Sequence, residues 1–273
     1  MQSQDETYAL DAVRARNQER ALAFAFAPAA RRRALFAVAA FDAELEKTAE
    51  TVSEPMLGQI RLAWWREAVE EIFDSDVLRR HPVVAELAAV ARRTTALRAP
   101  LEGLIDARER ELDPARFQTR ADLRAHLADI GAGWAQTVSL VCDAVDASAG
   151  VDALGEAAAW ARELERVGAR LAGGVCLLPA EDLAAAGLSR DGLLEGRGVD
   201  ALPELVRSLA ETEGRDAVAR ARSIGATPPA LAPLAAGAAS AAIAIDRLAA
   251  GRSPDAPVLR RLAMVRAAAR GGL

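Results

Sequence analysis

Residues 154–179 read LGEAAAWARELERVGARLAGGVCLLP. The stretch predicts a helix from about Val151 to Leu171, ended by Gly173 and Gly174, with Pro179 opening a short turn. Arg162, Arg166 and Arg170 stand four residues apart and share one face of that helix. Like charges at this spacing are mildly destabilising by themselves. An anion relieves them: Glu163 and Glu165 in part, an acidic face on another helix, or a bound phosphate. Three roles stay open for the ladder: a salt-bridge role, a partner contact, or direct anion binding.

Composition points the same way as the helix. The chain has 273 residues, 52% hydrophobic but only 4% aromatic, so alanine and leucine supply most of the apolar content. Both are strong helix formers, and strand-favouring residues are sparse. An all-α globular protein is expected, with one domain over residues 1–273, since no Pro- or Ser-rich linker and no fixed-period repeat interrupts it. The net charge of −5 argues against a nucleic-acid binder, which needs a basic face. Lys47 is the only lysine, so the cations are arginines, which suit carboxylate and phosphate partners. Cys142 and Cys176 lie in apolar stretches with no Cys/His cluster around them, so buried free thiols are expected rather than a zinc site. The first residues lack a basic region followed by an apolar core, so no secretory signal is expected and the cytoplasm is the default location. The uncharged run from Ser223 to Ile245 is long enough to span a membrane. Its prolines and many alanines make a buried helix the expectation.

About ten helices and no strand are expected. The first covers Asp5 to Ala27; the second follows Pro28 and ends near Glu50. Ser53 is expected to cap a third helix with Pro55 in its first turn. Further helices are expected near 82–95, 98–112, 120–146, 201–224, 229–250 and 256–270. Thr119 followed by Asp122 is a capping-box-like start. The glycine-punctuated stretch from Gly187 to Gly198 reads as a loop with one helical turn. Antiparallel helices with short connections pack into a bundle.

Two acidic clusters carry candidate chemistry. In FDAELEKTAE (Phe41 to Glu50), Asp42 and Glu46 share a helix face, and Glu50 extends it. Such a pair can hold a divalent ion that bridges to phosphate oxygens, or can be a solvated acidic stripe; if this helix faces the arginine ladder, the two stripes close on each other as ion pairs and protein partly fills the pocket between them. In DARERELD (Asp106 to Asp113), Asp106 and Arg110 are four apart, as are Glu109 and Asp113, which is ordinary helix support. Trp64 and Trp65 point to different sides of their helix, one toward the core and one toward a cavity. His81 precedes a proline and reads as a loop residue; His126 is alone on its helix. Neither belongs to an arrangement for nucleophilic catalysis.

Several segments resemble the squalene/phytoene synthase family: residues 14–45 its opening helices, RLAWWR (Arg61 to Arg66) its most specific motif, residues 104–140 its glycine-containing helix, and residues 175–189 the segment after its last catalytic helix. The resemblance is good from about residue 10 to 190 and looser beyond. It implies a single-domain isoprenoid-synthase fold, a helical bundle around a central cavity, with Phe41, Trp64 and Trp65 as cavity-lining candidates. Active members hold magnesium and diphosphate with two paired-aspartate motifs. By position the first falls near Ala43 to Lys47, where Asp42, Glu44 and Glu46 offer carboxylates. The second falls at Arg166 and Arg170, so its charge is reversed, and Val175 replaces the usual arginine of the glycine–arginine step.

The FDAEL stretch (Phe41 to Leu45) and the VSE…RLAWW stretch (Val52 to Trp65) are also similar to the branch of the family that acts in assembly of respiratory complex I. The resemblance thus implies a non-catalytic protein that contacts a respiratory subunit at the inner face of the membrane, with no cofactor. The site residues Asp42, Glu44, Glu46, Arg166 and Arg170 are then remnants, and Asp42 and Glu46 the only metal candidates. Two alternatives stay open. One is an active prenyl transferase using Mg2+ on Asp42, Glu44 and Glu46 with Asp106 or Asp113. The other is a carrier of an isoprenoid lipid in the retained cavity.

Overall fold

The computed structural model describes residues 4–51, 55–144 and 150–273. Among them every regular element is helical. The expected first helix is two, α1 (Gln4–Arg16) and α2 (Gln18–Ala23). Asn17 breaks them: it leaves helical geometry, and its side chain accepts a hydrogen bond from the Arg20 N–H at 3.0 Å, as an N-cap does. The chain then continues through α3 (Ala29–Thr51) and α4 (Pro55–Asp74). The cap expected at Ser53 lies outside the described residues.

His81 is not a plain loop residue. It caps α5 (Pro82–Ala91), its Nδ1 accepting from the Val83 N–H at 3.2 Å. Next come α6 (Arg98–Arg110) and α7 (Arg120–Val141). The cap at Thr119 is reciprocal: its hydroxyl accepts from the Asp122 N–H, and the Asp122 carboxylate accepts from the Thr119 N–H. Then follow α8 (Asp152–Ala172), the short α9 (Ala180–Ala185) and α10 (Arg190–Leu194). The helices α11 (Leu202–Leu209) and α12 (Arg215–Arg222) form one rod through a π turn at Ala210–Gly214. The last two are α13 (Ala232–Ala249) and α14 (Pro257–Arg270).

A continuous apolar cluster runs from Ala9 to Ala249, with Phe24, Phe41, Phe117 and Trp160 among its fully buried side chains. Each such burial contributes about 1.5–3 kcal/mol. The centre is α8, packed against α7 and α13. Its contact with α7 is unusually close. A Cβ built on Gly155 would sit 2.0 Å from the Gly131 carbonyl oxygen, and one on Gly131 would sit 2.3 Å from the Glu156 nitrogen. Only glycine lets two backbones approach in this way. The stretch Pro229–Ala249 is long and apolar enough to cross a membrane, yet most of it is buried against other helices. Both cysteines are free and buried.

Candidate functional site

The two stripes face each other. On α3, Glu46 and Glu50 meet the ladder of α8, while Asp42 meets Arg20 of α2 and Arg108 of α6. Glu46 accepts from Arg162 at 2.6 and 3.1 Å, and Glu50 accepts from Arg166 at 2.7 Å. Arg166 also lies 3.7 Å from Glu46. The kink at Asn17 lets α1 and α2 contribute from the same side. Arg16 donates to Glu50 and reaches Glu46 at 3.4 Å, while Arg20 donates to Asp42 at 2.5 Å. Arg20 also lies over the Trp134 ring, its Cζ 3.8 Å from the centroid.

The third rung turns away from α3. Arg170 donates to Glu111 at 2.6 Å and lies 3.3 Å from Glu163. Glu111 is wholly buried just past the end of α6. It also accepts from Arg108 at 2.7 Å and meets His126 Nε2 at 3.1 Å. Arg108 extends this chain to α3 by donating to Asp42 at 3.0 Å. Six arginines therefore meet five carboxylates in two adjoining sets, Arg16, Arg162 and Arg166 with Glu46 and Glu50, and Arg20, Arg108 and Arg170 with Asp42, Glu111 and Glu163. The field of Arg108 at Glu46 couples the two sets into one electrostatic network. A buried set of this kind is tolerable only when its charges are paired and hydrogen-bonded.

Burial alone pushes these carboxyls up, and the neighbouring guanidiniums decide the outcome. Arg108 and Arg20 outweigh burial at Asp42, Arg162 and Arg108 do so at Glu46, and Arg170 and Arg108 at Glu111; all three lie below the ordinary carboxylate range. At Glu163 burial prevails over Arg170 and the pKa is raised. The signs give a pH profile. The three depressed groups contribute fully above the unfolded carboxylate range near pH 4, and that contribution is lost as pH falls through their folded values. Glu163 acts oppositely, gaining as mild acid neutralises it. Thermal midpoints should therefore hold or rise slightly from about pH 7 to about pH 5, then fall steeply below about pH 4. A midpoint that stays level down to about pH 3 would show that the network adds nothing.

Beside the network lies a cavity of about 90 Å3. Its floor is apolar, with Phe24, Ile130, Trp134 and Leu234. Its rim is charged, with Arg20, Arg162, Glu163, Glu165 and Arg260. Arg260 ties the rim together, donating to Glu165 at 2.7 Å and to the Ser240 hydroxyl at 2.7 Å, which in turn donates to Glu19.

The remaining candidates lie elsewhere. Glu44 faces away from Asp42 and Glu46 and accepts from the Tyr8 hydroxyl at 2.9 Å. Asp106 and Asp113 are at the surface; Asp106 pairs with Arg66, and Asp113 with Arg116. The expected Asp106–Arg110 pair does not form, because Arg110 reaches across to Asp129 at 2.8 Å. Phe41 is core rather than cavity wall, packed edge-on to Trp65 at 5.5 Å. Trp64 and Trp65 wall a separate surface pocket with His81, Glu44 and Lys47, not the central cavity, because α4 packs on the far side of α3.

A magnesium–diphosphate site needs carboxylates open to the ion. Here Asp42, Glu46 and Glu50 on α3 are already engaged by guanidinium and Glu44 by the Tyr8 hydroxyl, and among the described residues no three acidic, histidine or cysteine side chains form a metal-binding group. The donor set does not fit the ion.

The sequence matches the squalene/phytoene synthase profile over residues 13–268. The chain belongs to the squalene/phytoene synthase family. Solved members share the fold: a ligand-bound dehydrosqualene synthase superposes with a TM-score of 0.73 at 18% identity, covering 96% of this chain and 94% of that one. The squalene synthase HpnC of Alicyclobacillus acidocaldarius gives 0.64 at 17% identity, covering 98% and 94%. Among curated relatives, complex I assembly factor 6 of Bos taurus is 33% identical over 118 residues, covering 43% of this chain and 35% of its own. The Homo sapiens protein is 32% identical over 116 residues, covering 42% and 34%. The match thus spans about a third of the length of these relatives.

Proposed function

We propose that this chain is a non-catalytic squalene/phytoene synthase family member that acts in the assembly of respiratory complex I. One observation carries the reading: the acidic stripe of α3 and the arginine ladder of α8 satisfy each other, Glu46 with Arg162 and Glu50 with Arg166. Prenyl transfer of the family type needs both faces to present carboxylates to metal ions. A guanidinium cannot ligate a dication, and it repels one. The likeness to complex I assembly factor 6 supports the assembly role, with a respiratory subunit as partner. The place of action is the cytoplasm, at the inner face of the membrane, and no cofactor is required.

The cavity bears on the carrier alternative. At about 90 Å3 it is smaller than the roughly 150 Å3 cavity that accepts benzene elsewhere, so a farnesyl chain does not fit without movement of its walls. The test has two arms. Purified protein incubated with farnesyl or geranylgeranyl diphosphate and magnesium should release no diphosphate and form no squalene or phytoene. Deletion of its gene in the host should lower the amount of assembled complex I on native gels. Steady product formation, or unchanged complex I, removes the proposal; an isoprenoid lipid extracted from the purified protein would favour the carrier instead.

A further inference from the structure

The final helix has two faces of different chemistry. Its inner face carries Arg260, Met264 and Ala267, all buried. Its outer face carries Val258, Leu262, Val265 and Ala269, which fall on one line at helical spacing. Val258, Leu259, Leu262 and Val265 are each 50–68% exposed. On a helical wheel Arg261 flanks this stripe on one side, and Arg266 and Arg270 on the other. These three arginines are exposed and have no ion partner among the described residues. The helix contains no acidic residue, although the chain as a whole carries a net charge of −5. The carboxylates it does meet, Glu165 and Glu19, lie on its inner side with Arg260.

We propose that the outer face of α14 docks on an anionic lipid surface, with the aliphatic stripe seated among the acyl chains and Arg261, Arg266 and Arg270 at the phosphates. An apolar line bordered by arginines is the arrangement of an interfacial helix, because long cationic side chains reach outward while their stems stay apolar. The charge complements an anionic surface, which attracts basic side chains that come close to it. A protein partner fits less well. A 14-residue helix is about 21 Å long and about 10 Å wide, so it offers roughly 200 Å2, against roughly 800 Å2 per partner in a stable interface. The stripe also lacks the aromatic anchors that dominate such interfaces. Docking through α14 would bring the rim residue Arg260, on the same helix, close to the bilayer.

The test is co-sedimentation of the full chain with vesicles of phosphatidylcholine, with and without phosphatidylglycerol. The protein should bind the anionic vesicles, bind the neutral ones weakly, and lose affinity as salt is raised. Arg261→Gln with Arg266→Gln, and separately Leu262→Glu with Val265→Glu, should each weaken binding more than tenfold. The substituted side chains are exposed, so circular dichroism and the thermal midpoint should match the parent and rule out misfolding as the cause. No sedimentation with anionic vesicles, or variants that bind like the parent, overturns the proposal. A concentration-dependent dimer that the same variants abolish assigns the face to a second copy and overturns it equally.

Discussion

Glu111→Ala should cost about 3–5 kcal/mol and lower the thermal midpoint by on the order of 10 °C. The reason is what it leaves behind. Glu111 has no solvent exposure, and it accepts from Arg108 and Arg170 while facing His126. Without it, two buried guanidiniums lose their shared anion. Arg108 keeps Asp42 and Arg170 keeps only Glu163, whose own charge is disfavoured by burial. Glu111→Gln should fall between parent and Ala, because the amide still accepts one hydrogen bond but carries no charge. Arg170→Ala in the Glu111→Ala background should cost much less than in the parent, since the two share one interaction. Differential scanning calorimetry of the four proteins decides the matter. Strictly additive losses, or a single loss under about 2 °C, would show that the network is not coupled through this carboxylate.

Gly155→Ala should cost about 3 kcal/mol, at the top of the usual range for overpacking. The obstruction is backbone: the added carbon would lie 2.0 Å from the Gly131 carbonyl oxygen and 2.6 Å from its carbonyl carbon. Side chains can rotate aside, but here α7 and α8 must separate. Gly131→Ala should behave alike, and the pair should cost less than the sum, because one separation relieves both clashes. Gly168 is the internal control. It lies on the same helix with nothing within 4 Å of a built Cβ. Gly168→Ala should therefore stabilise by up to about 1 kcal/mol through helix propensity. Chemical denaturation of the three single variants and the double tests this, and equal effects at Gly155 and Gly168 would refute the close-contact account.

Much of the fold was legible from periodicity and caps. Thr119 with Asp122, the Gly173-Gly174 stop and the prolines that open α4, α5 and α14 all mark element ends in the sequence. Facing stripes on α3 and α8 were also readable, because four-residue spacing defines a helix face. Three things were hidden. Asn17 breaks the first helix through a local side-chain hydrogen bond that competes with helix continuation, and an asparagine inside an otherwise helical pattern does not announce this. Glu111 gave no signal, since beyond its i,i+3 neighbour Arg108 its importance comes from His126 on α7 and Arg170 on α8, which only tertiary packing collects. Arg16 and Arg20 stand four apart in the first expected helix, a spacing that shares a helix face. The lining candidates Phe41, Trp64 and Trp65 show the remaining limit: aromatic residues mark apolar surroundings, but not which side of α3 holds the cavity.

The spacing of the network along the chain has a consequence for how the protein comes to be folded. Glu46 meets Arg16 across 30 residues but meets Arg162 across 116. During synthesis the first arginines are therefore available as soon as α3 emerges, whereas the ladder arrives only after most of the bundle exists. Contacts between distant positions form late, since the loop they close must be ordered first. The early arginines are therefore the first counter-ions within reach of a strip of carboxylates that repel one another, and pairing with α8 is expected to come last.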